Sequence, residues 1–219
     1  MEKIISQLPS EKFIQQYSPL REVKDCEFIR AHQAVNFFEF WDALEKDLGK
    51  ECIPFWGAVW PGAKSLARFL KEQKHLLRNK TVLDFGCGSG IVSIAAALQG
   101  ASRVVANDID PVALYIAQKN FSANGVEVET EPADLLSHPP KSCFDLIFAV
   151  DMFYERSTSD LLLNFLNSQI QKGAEVIIAD GNRPFAPQNR TTTILKENIA
   201  VDRELEGVSD RTVRIMKLY

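Results

Sequence analysis

Residues 82–90 of this chain read Val-Leu-Asp-Phe-Gly-Cys-Gly-Ser-Gly, and this stretch decides the fold. The apolar run over 81–85 is broken only by Asp84 and predicts a buried strand. Three alternating glycines follow that strand at once: Gly86, Gly88 and Gly90. An apolar segment up to residue 99 then predicts a helix. A strand, a glycine turn and a helix start form a nucleotide-type ligand site, because glycines let the ligand lie against the main chain.

The spacing of the glycines and the acid before them indicate the kind of ligand. A dinucleotide usually requires Gly-x-Gly-x-x-Gly, with its pyrophosphate on the helix N-terminus. Here the spacing is Gly-x-Gly-x-Gly, and Asp84 stands two positions before Gly86. A carboxylate there would repel a phosphate but suits a ligand that carries an ammonium and a sulfonium group. The pattern therefore favours S-adenosylmethionine (SAM) over NAD as the cofactor.

A second acid supports the same ligand. Residues 103–106 predict another strand, and Asp108 follows it about twenty residues beyond the glycine loop, where a carboxylate can accept hydrogen bonds from both ribose hydroxyls. Asp110 and Pro111 are typical of a helix N-cap and first helical position. The alternative is that Asp108 only caps this following helix.

Composition is that of one globular domain with a large core: 219 residues, 46% apolar and 25% charged. The net charge of −4 and the lack of a basic cluster predict no nucleic-acid partner. The four cysteines are scattered, so neither a disulfide framework nor a metal site is expected. Because long apolar runs and leader-like features are lacking, we expect no membrane contact and a cytoplasmic location.

Helices and strands alternate from residue 61 onward. Strands are predicted at 81–85, 102–107, 126–130, 144–150 and 174–179. Helices are predicted near 62–74, 90–99, 111–123, 161–170 and 190–197. The chain then ends in two predicted strands, 199–206 and 211–218, joined by a turn. The predicted fold class is α/β: a doubly wound, mostly parallel seven-stranded sheet with an antiparallel C-terminal hairpin.

The first part of the chain, residues 1–50, is predicted to be a helical extension of a domain that spans 51–219. An amphipathic helix is predicted over 36–48. Its apolar face consists of Phe37, Phe40, Trp41, Leu44 and Leu48. The extension either packs on the domain or caps its ligand site.

The residues at the end of the 144–150 strand indicate where a second substrate would bind. Asp151 and Tyr154 follow this strand, on the edge where ligands bind in open α/β sheets. Methyl transfer requires a positioned, neutral nucleophile, and a lysine amine has a pKa of about 10.4. Asp151 is too weak a base to deprotonate it efficiently, so we predict that Asp151 orients the amine and that Tyr154 hydrogen-bonds there. The alternative is that Asp151 caps a helix and the aromatic residues belong to the core.

Three further segments accompany the glycine loop: Pro-Phe-Trp-Gly-Ala-Val-Trp-Pro-Gly at 54–62, Ala-Asn-Asp-Ile-Asp-Pro at 106–111, and Asp-Met-Phe-Tyr at 151–154. The set resembles the class I, seven-stranded SAM-dependent methyltransferases, and within them the family of the electron-transfer flavoprotein β-subunit lysine methyltransferase. The resemblance covers roughly residues 50–219, and the Asp-x-Phe-Tyr tetrapeptide is its most specific part. It implies a protein-lysine N-methyltransferase with that β subunit as the leading substrate.

The resemblance also implies roles for individual residues. Trp60 would lie beside the cofactor, with a core aromatic residue as the alternative, and Asp151 would face the acceptor. Asp134 matches the adenine-contacting position, with a solvated loop acid as the alternative, and Ala149 is also assigned to the cofactor. Rival functions left open are a small-molecule N-methyltransferase of the nicotinamide type, an NAD(P)-dependent oxidoreductase and a non-catalytic SAM-binding domain. A nucleic-acid methyltransferase is disfavoured by the acidic balance and by the lack of an Asn-Pro-Pro-Tyr-type tetrapeptide.

Overall fold

The computed structural model describes residues 8–219, and strands and helices are numbered in chain order within that range. The strands are β1 (Leu20–Val23), β2 (Cys26–His32), β3 (Thr81–Phe85), β4 (Arg103–Asn107), β5 (Glu129–Glu131), β6 (Leu146–Val150), β7 (Glu175–Asp180), β8 (Thr191–Ala200) and β9 (Asp210–Leu218). The α-helices are α1 (Glu11–Tyr17), α2 (Phe37–Leu48), α3 (Pro61–Glu72), α4 (Ile91–Leu98), α5 (Pro111–Ala123), α6 (Arg156–Gln171) and α7 (Arg203–Glu206). Short 3₁₀ turns cover Phe55–Gly57 and Lys74–Leu76.

Seven of these strands form one sheet in the order β5-β4-β3-β6-β7-β9-β8. Strands β3 to β7 run parallel to one another, whereas β9 pairs antiparallel with β7 and β8 pairs antiparallel with β9. The predicted fold class is therefore confirmed. Strand β5 is shorter than the predicted 126–130 segment and begins later, because only three residues pair with β4.

Helices cover both faces of the sheet, which explains the almost wholly apolar sequence of its central strands. Val82 packs with Leu66 of α3 and Ile94 of α4 in one core cluster. Its neighbour Leu83 points to the opposite face and packs with Leu162 of α6 in another cluster. Successive residues of a strand alternate between faces, so a strand buried on both sides must be apolar throughout.

The C-terminal part of the sequence prediction was wrong in two elements. The predicted helix at 190–197 is a strand, β8, and the predicted strand at 199–206 contains the short helix α7. Residues Thr191–Thr193 are β-branched and favour a strand. The pairing of β8 with β9, from Thr191 opposite Leu218 to Ala200 opposite Asp210, then supplies hydrogen bonds that override the helix-forming residues later in the segment.

The predicted helical extension is also corrected, because it contains the antiparallel hairpin β1–β2 between α1 and α2. Helix α2 itself lies where it was predicted, and the Asn36 side chain caps its first turn. Phe40 and Leu44 are its buried residues, and the Phe40 ring lies 5.0 Å from that of Trp56. This cluster includes Ile116 of α5, so the extension packs on the domain against that helix.

Among residues 8–219, no helix is long and apolar enough to cross a membrane. Within the same range, no group of three or more His, Cys, Asp or Glu side chains could hold a metal ion.

Candidate active site

The carboxyl ends of the parallel strands bring the predicted site residues to one edge of the sheet. Phe85, the last residue of β3, pairs with Asn107 of β4 and with Ala149 of β6, and Val150 pairs with Ala179 of β7. The loops that follow these strands therefore meet at a common rim. In open α/β sheets this rim is where ligands bind.

The glycine loop needs glycine for backbone and packing reasons. Gly86, Gly88 and Gly90 have φ values of 66°, 53° and 79°, in the left-handed region. A Cβ on Gly90 would lie 2.5 Å from the Phe121 ring of α5. A side chain at this position is therefore excluded by strain and by contact, and α4 can start directly beneath the loop.

Asp84 lies under the loop instead of facing open solvent. It is 2% exposed, and its Oδ2 accepts hydrogen bonds from Ser93 N at 2.9 Å and from Ser93 Oγ at 2.6 Å. Burial raises the pKa of its carboxyl to about 6. The side chain thus ties β3 to the first turn of α4, and its contact with a cofactor stays a prediction.

Asp108 links the glycine loop to the loop after β4. Its Oδ2 accepts from Gly88 N at 2.9 Å, and its Oδ1 accepts from Asp110 N at 3.0 Å. The N-cap of α5 is Asp110, which accepts from Val112 N at 2.9 Å, so helix capping is not the role of Asp108. Burial raises the pKa of the Asp108 carboxyl. Each of its oxygens carries one protein hydrogen bond and keeps capacity for another, as two ribose hydroxyls would require.

Two further cofactor predictions concern a loop acid after β5 and a buried residue of β6. Asp134 is exposed, and its oxygens accept from Leu136 N at 3.0 Å and Ser137 Oγ at 2.6 Å, which closes a turn after β5. The hydrogen bond from Ser137 lowers the pKa of Asp134. Ala149 is fully buried, and its methyl group packs in the core beneath the rim. The roles of Asp134 and Ala149 at a cofactor therefore stay predictions.

Asp151 is held by three donors from two separate parts of the chain. Its Oδ2 accepts from Gly62 N at 2.7 Å, and its Oδ1 accepts from Gly181 N at 2.8 Å and Arg183 Nε at 3.0 Å. The Asp151 side chain is 4% exposed, and the backbone φ of this residue is 53°. A Cβ on Gly62 would lie 2.7 Å from Oδ2, which explains why glycine follows Trp60-Pro61. Burial raises the pKa of Asp151, and the Arg183 charge opposes that effect.

This carboxylate therefore joins the start of α3 to the ends of β6 and β7. These three hydrogen bonds occupy most of the acceptor capacity of the carboxylate. Its structural role is therefore clear, whereas its role in orienting an acceptor amine stays a prediction. A left-handed, non-glycine residue at the rim is the kind of strained backbone that occurs at functional sites.

Sequence reasoning missed the ion-pair network behind Asp151. Arg183 donates from both terminal nitrogens to the two oxygens of Glu206 at 2.9 Å, and Arg211 Nε donates to the same carboxylate at 3.0 Å. The Glu206 side chain is 3% exposed, and the Arg183 guanidinium lies 5.2 Å from the centre of the Trp60 ring. The run Asp-Gly-Asn-Arg at 180–183, which follows a strand at the ligand edge, was the available signal.

Asp180, the last residue of β7, was also missed. It is fully buried, and its Oδ1 accepts from Arg183 N at 2.8 Å. Its Oδ2 has no hydrogen-bond partner among residues 8–219. Burial and the neighbouring Asp151 charge raise the pKa of this carboxyl to about 7. Asp180 is thus a second carboxyl group behind the rim, and it is largely protonated below neutral pH.

Aromatic side chains form the outer wall of the rim. Trp60 Nε1 donates to the Phe55 carbonyl oxygen at 2.9 Å, and the rings of Trp60 and Phe55 are 6.2 Å apart. The Phe55 ring lies 5.4 Å from that of Tyr154. Tyr154 is 43% exposed, whereas Phe153 is fully buried, so within Asp-x-Phe-Tyr the tyrosine faces the site. Burial raises the pKa of Tyr154, and the charges of Glu155 and Asp108 add to this effect.

The fold and the site at its rim define a Rossmann-like, class I methyltransferase architecture. A solved structure with this fold is that of a 16S rRNA methyltransferase of T. thermophilus in complex with AdoMet (that is, SAM) and guanosine. Its TM-score is 0.53 and its sequence identity 20%, over 74% of this chain and 44% of that chain. A family model described as ribosomal protein L11 methyltransferase (PrmA) matches residues 65–151.

More specific similarity is to lysine methyltransferases of the electron-transfer flavoprotein β subunit. The Xenopus laevis protein of that name is 40% identical over 146 residues, which cover 66% of this chain and 59% of the relative. The Mus musculus protein is 37% identical over 139 residues, 63% of this chain and 54% of the relative. The matches thus span somewhat more than half the length of these relatives, and they confirm the resemblance indicated by the motifs.

Proposed function

We propose that the protein is a SAM-dependent methyltransferase whose cofactor lies on the glycine loop against Asp108. The observation that carries this proposal is the hydrogen bond from Gly88 N to the Asp108 carboxylate. It holds this half-buried carboxylate beside the glycine turn, and the carboxylate can still accept further hydrogen bonds. Among residues 8–219, a Cβ on Gly88 would have a single neighbour within 4 Å, at 3.8 Å, so the described part of the chain leaves space on this side of the loop. The AdoMet complex with the same fold supports this choice of cofactor.

We further propose that the acceptor is a lysine side chain of a protein, with the electron-transfer flavoprotein β subunit as the leading substrate. The names of the sequence relatives support this substrate. The half-exposed Tyr154 beside the rim supplies a hydroxyl that could contact the amine. The described part of the chain offers no strong base beside Tyr154, since the Asp151 carboxylate is buried and accepts hydrogen bonds from three donors.

The mechanism that follows is one of positioning and charge stabilisation. SAM, when bound, supplies a methyl group on a positively charged sulfur. The lysine ammonium would first lose its proton to water, and its neutral nitrogen would then take the methyl group as the carbon–sulfur bond breaks and its electron pair returns to sulfur. The product nitrogen carries the positive charge until a proton leaves to solvent. Tyr154 would orient the amine, and Asp151 would fix the backbone around it and contribute negative charge.

One assay distinguishes this function from its rivals. The protein is incubated with radiolabelled SAM and a cell extract, which is then resolved into protein, nucleic-acid and small-molecule fractions. We expect label in the protein fraction, and at least about tenfold less with Asp108→Ala at a SAM concentration below the Kd of the parent protein. Label in the small-molecule fraction would instead indicate a nicotinamide-type enzyme. A protein that binds SAM by calorimetry but transfers no label to any fraction would be a non-catalytic SAM-binding domain, and binding of NAD in preference to SAM would refute the cofactor.

A further inference from the structure

Phe55 is a large apolar residue at the rim that the proposed mechanism does not use. It is 41% exposed, although it belongs to a 3₁₀ turn whose neighbours Trp56 and Gly57 are buried. Its ring lies between those of Trp60, at 6.2 Å, and Tyr154, at 5.4 Å. The carbonyl oxygen of Phe55 also accepts a hydrogen bond from the indole N–H of Trp60, which holds the two residues together. The three rings therefore form a fixed aromatic wall, defined here as Phe55, Trp60 and Tyr154.

The wall leads toward the proposed cofactor site. Trp56, the residue after Phe55, has its Cα 3.8 Å from a Cβ built on Gly88 of the glycine loop. Met152, two residues before Tyr154, lies against the same loop, because a Cβ on Gly86 would be 2.5 Å from its sulfur. Phe55 and Tyr154 thus belong to segments that border the glycine loop, the place proposed for the cofactor.

The charges around the wall favour a cation on its open part. The Arg183 guanidinium already lies over the Trp60 ring, and its positive charge is balanced by ion pairs with Asp151 and Glu206. Phe55 and Tyr154 have no such cation among the described residues. Aromatic faces attract ammonium groups because of their negative quadrupole, and methylated ammonium groups are bound by cages of such rings.

We propose that Phe55 and Tyr154 bind, through their ring faces, the acceptor lysine nitrogen as it becomes positively charged and the ammonium group of its methylated product. This inference rests on the proposed lysine methylation and names the residues that recognise its substrate. The acceptor reacts as its neutral amine, after its proton has passed to water, and the ring faces then stabilise the positive charge that develops on nitrogen during transfer.

A binding measurement tests this without any methyl transfer. The probe is Nα-acetyl-Nε-trimethyllysine amide, and its control is the neutral analogue with carbon in place of the charged nitrogen; both are titrated by NMR. We expect the parent to prefer the cation on the order of fivefold, which corresponds to an exposed cation–π contact. Phe55→Leu should lose that preference, and Phe55→Tyr should keep it. Phe38→Leu, which changes another exposed aromatic residue outside the wall, should have no effect.

The inference is wrong if the parent shows no preference for the cation, or if folded Phe55→Leu keeps it. A second arm measures kinetics on purified electron-transfer flavoprotein β subunit: Phe55→Leu should lower kcat/KM about fivefold and leave the Kd of SAM unchanged. A weakened Kd of SAM would overturn the assignment, because the ring would then contact the sulfonium. Failure of the parent to methylate any protein would refute the proposed function. The binding measurement would still decide whether Phe55 and Tyr154 bind the cation.

Discussion

Replacement of Asp151 by asparagine tests the structural account of the rim, because this change removes one charge and keeps the shape. The carboxylate receives Gly62 N on one oxygen, and Gly181 N with Arg183 Nε on the other. An asparagine amide has one acceptor oxygen, so its NH₂ group must face a donor. Removal of one partner of a buried ion pair costs about 3–5 kcal/mol, and a hydrogen bond to a charged group contributes about 1.5–3 kcal/mol. Because Arg183 keeps Glu206, we expect a loss of about 3 kcal/mol in the free energy of unfolding.

The assay is urea denaturation followed by circular dichroism, with Asp160→Asn as the matched control. Asp160 is exposed on α6, so its replacement should change stability by less than about 0.5 kcal/mol. An Asp151→Asn protein that is as stable as its parent would refute the hydrogen-bond arrangement. If such a stable variant also lost methyl transfer at saturating SAM, the carboxylate would act on the acceptor, as the sequence predicted.

Three further variants test other parts of the site. Asp108→Ala should weaken SAM binding, measured by calorimetry, by about 1.5–3 kcal/mol, and unchanged affinity in a folded variant would show that this acid does not bind the ribose. Asp180 has a pKa of about 7 in the fold against an ordinary 3.8, so between these values the folded protein keeps a proton that the unfolded chain has lost, and stability falls as pH rises. Asp180→Asn should remove this pH dependence. The difference in the free energy of unfolding between the variant and its parent should grow from pH 4 to pH 7 and then level off, at no more than about 4 kcal/mol. A difference that stays constant across this range would contradict the burial of an ionisable group. Gly90→Ala should destabilise the protein more than Gly173→Ala, because both glycines have positive φ but only a Cβ on Gly90 meets another residue, the Phe121 ring; equal losses in thermal melts would refute the packing argument.

The parallel half of the fold could be predicted because its signals are local. The strand up to Phe85, the glycine turn and the helix after Pro111 each carry their own pattern of apolar periodicity, turn residues or caps. The tail could not be predicted in the same way, because residues 190–206 contain both β-branched and helix-forming residues. There the long-range pairing of β8 with β9 decides the structure, and no short window of sequence contains that information.

The site residues show the same difference between local patterns, which could be predicted, and long-range contacts, which could not. Asp108 and Asp151 were placed correctly at strand ends, since the end of a strand follows from its pattern. The direction in which the Asp151 carboxylate points was not predictable, because it depends on Gly62 in one distant segment and on Gly181 and Arg183 in another. Glu206 was missed for a further reason: it lies in α7, a helix that the sequence reasoning had assigned to a strand.

The most direct test of the account is to incubate purified electron-transfer flavoprotein β subunit with SAM and this protein and to map the product by tandem mass spectrometry. We expect added methyl groups on one or more lysines of the β subunit, which depend on the protein and are strongly reduced with Asp108→Ala at limiting SAM. A β subunit that stays unmodified while another class of molecule in a cell extract takes up the methyl group would contradict the proposed substrate, and no SAM-dependent transfer to any acceptor would contradict the proposed activity.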